Sequence, residues 1–249
     1  MSSVIQVSQV YYPESDGKPM GETDYHRKEI IRHIELLEDY YRGRKVYVSG
    51  ALLVYYVQGD PRKFIVPDVF VAKGIVPQDR RTYKIWVEGK APDVVIETTS
   101  RRTRRKDRQI KPELYAQLGV KEYFLFDPLG EYLDPPLQGY RLDGSHYQPI
   151  GPDEDGGLDS RELQLRLRLE EGHLDFVCTD TGERLLTRDE RLQEETAARK
   201  REAEARKREA EARKREAERA AQEAALRQAA EAEVARLLAE LNRRPPAVE

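Results

Sequence analysis

Cysteine is nearly missing. The 249-residue chain has one, Cys178, which excludes an intramolecular disulfide and any cysteine-rich zinc site. Histidine is almost as scarce, and His26, His33, His146 and His173 follow no metal-ligand spacing, so each is read as structural. No apolar run reaches membrane length and no secretory leader is visible, so a soluble, cytoplasmic protein without a membrane partner is expected. A dominant charge is also lacking. The chain has 43 Lys and Arg against 46 Asp and Glu, a formal net charge of −3, with the two signs interleaved. The total charge therefore says nothing about a polyphosphate partner; only a local cluster could.

Chemical variety disappears near Arg188. Before it lie the chain's Tyr, Phe and Gly; after it the sequence is almost only Ala, Glu, Arg, Lys, Gln and Leu. This divides the chain into a domain over 1–187, large enough for a real core, a long charged helix over 188–244, and a disordered tail over 245–249. In the helix the heptad Arg-Glu-Ala-Glu-Ala-Arg-Lys repeats from Arg201 and Arg208, and in decayed form from Arg215. Its alanines make no a/d seam. Glu202–Arg206, Glu204–Arg208 and Glu209–Arg213 stand at i,i+4 with Glu first, each adding roughly 0.2–0.5 kcal/mol to a solvated rod. From Leu226 the pattern changes: Leu226, Ala230, Val234, Leu237 and Leu241 form a seam suited to a coiled coil, and hence to a homodimer, until Pro245 and Pro246 stop it.

Within the first domain, residues 1–22 read as irregular. Thr23 or Asp24 caps a first helix with an apolar stripe through Ile30, Ile34, Leu37 and Tyr41 that ends before Gly43. Short strands are expected at Val46–Val48 and Leu52–Val57, then at Val66–Val71 with Pro67 near its start, and weakly at Tyr83–Val87. After Pro128 come a loop, a hairpin, and a half-exposed strand over Leu163–Leu169 that pairs with His173–Val177.

The stretch from Ala91 to Pro128 organises the rest. It reads as strand, basic loop, amphipathic helix and strand. The first strand is β-branched and apolar yet contains Asp93 and Glu97; Arg101 to Lys111 holds seven Lys and Arg; Ile110, Leu114, Tyr115 and Leu118 repeat at helical spacing up to Gly119. If the strands bearing Asp68 and Glu97 are antiparallel neighbours, start meets end and the two carboxylates converge. Asp93 lies about 13 Å back along its strand, on the opposite rim. Two converging carboxylates make a hard oxygen site for Mg²⁺ or Mn²⁺, with waters and substrate phosphate completing the shell.

Pro67-Asp68 followed by Glu97-Thr98-Thr99 on a later strand resembles the PD-(D/E)XK nuclease superfamily. Asp107-x-x-x-Lys111, Leu114-Tyr115, Gly119-Val120-x-Glu122-Tyr123 and Phe126-Asp127-Pro128 narrow the likeness to the Uma-two family, classed with restriction endonucleases. The resemblance spans roughly residues 20 to 180. It implies an α/β fold with a restriction-endonuclease-like core in the order α-β-β-β-α-β, followed here by the helical tail. It also implies an endonuclease acting on phosphodiester bonds, in DNA, with Asp68 and Glu97 as catalytic metal ligands. The superfamily lysine is expected two residues after Glu97, where Thr99 stands; the resemblance assigns its role to Lys111 instead. Arg101, Arg102, Arg104, Arg105 and Lys106 would then grip the nucleic-acid backbone, with no further cofactor.

Plainer readings stand beside these. Asp68 could be a turn residue and the arginine run a solvated loop; Asp107 is read as a helix N-cap and Glu29 as an exposed edge of the first helix rather than a metal ligand. A non-catalytic module, binding nucleic acid or assembling through the tail, is the alternative to the enzyme. A third is that the rod itself is the point, as a spacer or assembly arm.

Overall fold

The computed structural model describes residues 10–15 and 23–242, with side chains of the final helix described to 239. The expected irregular segment is therefore seen only over 10–15, where it has neither helix nor strand; the rest of it, the Leu241 side chain and the 245–249 tail lie outside the described residues. The chain divides into two compact units, Met1–Thr187 and Arg188–Glu249.

The first unit opens with helix α1 (Asp24–Tyr40), whose N-cap Thr23 accepts the His26 N–H through its hydroxyl. Strands β1 (Val46–Ser49), β2 (Val54–Tyr55), β3 (Phe64–Ile65), β4 (Val69–Lys73) and β5 (Tyr83–Lys84) follow, then the one-turn helix α2 (Ile85–Glu88) and strand β6 (Val94–Thr98). A π-helical turn, Lys106–Ile110, runs into α3 (Lys111–Leu118), which Gly119 closes in the left-handed region. Next come β7 (Glu122–Phe126), the hairpin β8 (Leu137–Asp143) and β9 (His146–Pro149), and the meander β10 (Leu158–Ser160), β11 (Leu165–Glu170) and β12 (His173–Cys178).

The main sheet has the order β1-β4-β6-β7-β8-β9 and is mixed: only the β6–β7 pair is parallel, joined across the π turn and α3. Taking α1, β1, β4, β6, α3 and β7 gives the expected core order. Both sheet faces are covered, which explains the weak alternation in the central strands. Val69, Val71, Val94, Ile96, Phe124 and Phe126 face α1 and the β10–β12 sheet; Phe70, Ala72, Val95, Tyr123 and Leu125 face the opposite core with Tyr115 of α3. Leu165 and Leu167 point into the first core while Arg166 and Arg168 point outward, as their alternation predicts.

Three expected strands are shorter than the sequence suggests. Over Leu52–Val57 only Val54 and Tyr55 enter a ladder. Over Val66–Val71, Pro67 has no N–H to give a ladder, and the chain leaves the sheet until Val69; Phe64 and Ile65 pair instead with β2. Tyr83–Val87 keeps only two strand residues, because Gly89 takes φ +81° and closes Ile85–Glu88 as a helical turn through its N–H to the Ile85 carbonyl.

The second unit is helix α4 (Arg188–Asn242), 55 residues long. Glu195–Arg199, Glu202–Arg206 and Glu209–Arg213 pair at 2.6–2.7 Å; the expected Glu204–Arg208 pair is absent among the described residues. Leu226, Val234, Leu237 and Leu238 are all more than half exposed. No helix among the described residues is long and apolar enough to cross a membrane.

Candidate active site

The antiparallel register pairs Val69 with Ile96, so the next pair outward is Asp68 and Glu97. Pro67 removes Asp68 from the ladder, and the Asp68 N–H, freed from a backbone partner, donates to Glu97 Oε2 at 3.3 Å. In return the Thr98 N–H donates to Asp68 Oδ2 at 2.8 Å. The segment is pinned from the other side: the Ala51 N–H donates to the Pro67 carbonyl, and a Cβ on Gly50 would lie 2.0 Å from the Asp68 carbonyl oxygen. Only glycine allows so close a backbone approach.

Glu97 is fully buried at the end of β6. The Tyr115 hydroxyl donates to its Oε1 at 2.6 Å, and the Lys111 ammonium lies 2.7 Å from its Oε2. The same ammonium lies 2.9 Å from Asp107 Oδ1. The three helical residues reach one point because they are spaced by four, and because the turn before α3 is widened. Pro112 cannot donate to the preceding turn, and its ring crowds the carbonyl four residues back. The Lys111 N–H bonds the Lys106 carbonyl five residues back, a π step, and the Tyr123 hydroxyl satisfies the Asp107 carbonyl at 2.8 Å.

Burial pushes the Glu97 carboxyl up, to about 8; Lys111 opposes this, while Asp68 and Asp107 add to it. Asp107 is raised for the same first reason, burial. Burial also acts to lower Lys111, but the attraction of Glu97 and Asp107 outweighs it and holds the ammonium protonated.

The structure thus brings together Asp68, Glu97 and Lys111. It corrects the reading of Asp107 as an N-cap: Asp107 sits inside the helical run, buried, with its carboxylate on Lys111. It also corrects the arginine loop, since only 101–103 form a turn and Arg104 and Arg105 are already helical. Arg101, Arg102, Arg104, Arg105 and Lys106 are all exposed, and among the described residues none forms an ion pair. Asp93 lies at the far end of β6 as expected, bonded by Lys90, Lys121 and the Lys73 N–H; burial would raise its pKa, but these partners lower it. Glu29 is not an exposed edge. It is buried between His33 Nε2 at 3.4 Å and His173 Nδ1 at 2.6 Å, and it does not join the Asp68–Glu97 pair.

Two participants escaped the sequence reading. Tyr115 looked like a core aromatic, although its i+4 relation to Lys111 placed it on the same face. His26 looked isolated, yet its Nε2 lies 3.6 Å from Asp68 Oδ2, on the inner face of α1.

A profile of the family described as "Uma2: Putative restriction endonuclease" matches residues 15–174. Among solved structures, a "putative nuclease belonging to DUF820" from Anabaena variabilis ATCC 29413 is similar at 18% identity, over 59% of this chain and 76% of its own, with a TM-score of 0.43. No curated protein matches. The matched span exceeds half the chain, runs from before α1 into β12, and holds every residue of the cluster. The chain belongs to the Uma2 family of restriction-endonuclease-type nucleases.

Proposed function

We propose that the protein is a divalent-metal-dependent endonuclease that hydrolyses phosphodiester bonds, with DNA as its substrate. The observation that carries this reading is the charge balance of the buried cluster. Three carboxylates, on Asp68, Glu97 and Asp107, face one ammonium, on Lys111. Fully ionised, they leave two negative charges uncompensated, a costly arrangement away from water that a divalent cation would cancel.

The donors fit such an ion. They are hard oxygens; Asp68 is partly open to solvent, and the buried Asp107 carboxylate meets only the Lys111 ammonium, at 2.9 Å, among the ion pairs of the described residues. Among the described residues no group of three or more His, Cys, Asp and Glu is placed to hold a metal ion by itself. Mg²⁺ asks for less, since one or two carboxylates plus water and substrate phosphate suffice. Asp68 and Glu97 would hold the Mg²⁺ or Mn²⁺. When bound, the ion supplies charge neutralisation at the phosphate and lowers the pKa of a water.

The protein's own groups do the rest. Tyr115 and the Asp68 N–H fix the two Glu97 oxygens, and the Thr98 N–H fixes Asp68. Lys111, held protonated, donates toward the attacking water or a phosphate oxygen and is not the proton acceptor. Water adds to phosphorus and releases a proton to solvent, one P–O bond breaks, and the departing oxygen takes up a proton from solvent, leaving a phosphomonoester and a free hydroxyl. The five exposed cations from Arg101 to Lys106 hold the backbone on either side. Helix α4 would join two copies through Leu226, Val234 and Leu237, and the lone Cys178 suits a reducing cytoplasm.

The test is cleavage of plasmid and single-stranded DNA with Mg²⁺ or Mn²⁺, wild type beside Glu97→Ala and Lys111→Ala. Loss of cutting in both variants is expected. Metal-dependent cutting that survives Glu97→Ala refutes the assignment. Salt-dependent DNA binding with no cutting and no metal binding would select the non-catalytic module instead.

A further inference from the structure

A cleft of about 180 Å³ opens beside the carboxylates, between the first turn of α1, the turn after β6 and the loop after β7. It is well below the roughly 300–1,000 Å³ of sites for whole small ligands. Its walls are Tyr25 on one side and Pro128, Leu129 and Tyr132 on the other, with Arg101 and Arg102 at the rim. His26 and Thr99 also line it, and His26 is the residue that lies against Asp68, so the cleft abuts the proposed reaction centre.

Both aromatic walls are fixed in advance. Tyr25 donates its hydroxyl to the Gly172 carbonyl at 3.0 Å and stacks on His173, with ring planes 18° apart. The opposite wall is built on one buried carboxylate: Asp127 accepts the N–H groups of Leu129, Gly130, Tyr132 and Leu133. This gives the Asp127-Pro128 pair of the sequence a task that the metal chemistry does not use. It braces a wall of Pro, Leu and Tyr at a fixed place beside the site.

We propose that this cleft receives one unpaired nucleobase next to the scissile phosphate, stacked against Tyr132 or Tyr25, while Arg101 and Arg102 take its flanking phosphate. The inference rests on the nuclease reading for its substrate class and adds a preference: single strands, or duplexes with an unpaired or extruded nucleotide, over fully paired duplex. The chemistry is that of single-strand recognition, where aromatic stacking and backbone cations act together without base-edge readout. A paired base, stacked in its own helix, cannot enter a space of this size without leaving it.

The test uses three oligonucleotides of one sequence: a single strand, a perfect duplex, and a duplex with one bulged 2-aminopurine. Affinity is measured by anisotropy in Ca²⁺ to hold back turnover, and cleavage separately in Mg²⁺ and Mn²⁺. The single strand and the bulged duplex should bind about tenfold more tightly than the perfect duplex, with 2-aminopurine fluorescence quenched on binding. Tyr132→Ala should bring the three affinities within about twofold of one another. Leu129→Glu, at a position already 54% exposed, should do the same through charge and leaves the fold intact. Equal wild-type affinities, or a preference unchanged in both variants, overturns the cleft. Retained preference with no cleavage of any substrate overturns the nuclease reading alone; uniform cleavage without preference overturns the cleft alone.

Discussion

Glu97→Gln should remove a loss of stability that the metal-free protein suffers as pH rises. A carboxyl whose folded-state pKa lies above its unfolded value binds its proton more tightly when folded. Its contribution is fully present below the unfolded value and is lost as pH rises through the folded one. For Glu97 those limits are the ordinary 4.5 and about 8, because burial dominates and Asp68 and Asp107 repel the charge that Lys111 attracts. At ~1.4 kcal/mol per pH unit, moving from pH 5.5 to 7.5 should cost wild type roughly 2–3 kcal/mol relative to the variant, as an upper bound. The amide keeps an acceptor for the Tyr115 hydroxyl but has no charge to bury. For a domain of this size the difference corresponds to a change of about 5–10 °C in the gap between the two melting temperatures.

Aromatic fluorescence is the assay of choice, since α4 contains no Tyr, Trp or Phe and the signal reports on the first unit alone. Taking the difference between wild type and variant at each pH isolates the contribution of the Glu97 carboxyl. A difference that stays flat between pH 5.5 and 7.5 refutes the buried ionisation argument. So does a wild type that gains on the variant as pH rises.

Three other outcomes are expected. Lys111→Met leaves Glu97 and Asp107 without their cation and should destabilise the first unit by about 3–5 kcal/mol in urea at pH 9, where Glu97 is ionised, and by less at pH 7, with part restored by Mg²⁺. Gly50→Ala drives a Cβ into the Asp68 carbonyl and should cost roughly 1–3 kcal/mol, while reducing metal affinity measured by calorimetry more than a distant core substitution of equal cost does. Reversing Arg101, Arg102 and Arg104 to Glu should weaken DNA binding and flatten its salt dependence by about one unit of log–log slope for each phosphate no longer neutralised.

What the sequence disclosed follows from the range of each interaction. The Thr23 cap, the Gly119 stop, the Leu165–Leu167 alternation and the Glu202–Arg206 pair all join residues within four or so positions, where spacing alone fixes who meets whom. The convergence of Asp68 and Glu97 was one step harder, needing only that two strands be antiparallel neighbours. The misreadings share a cause: each depended on what a distant segment brought. Asp107 resembles an N-cap until β6 places Glu97 beside Lys111, and Glu29 resembles a solvent edge until β12 delivers His173. His26 meets Asp68 because Pro67 keeps Asp68 out of the ladder. The prolines were legible as breaks but not for what they released. Pro67 turns a carboxylate into the site, and Pro112 loosens the helix by one residue so that Asp107, Lys111 and Tyr115 close around Glu97. Local strand and helix order is thus given up at the two places where the residues of the candidate site meet, and a reading that rewards regularity passes over both.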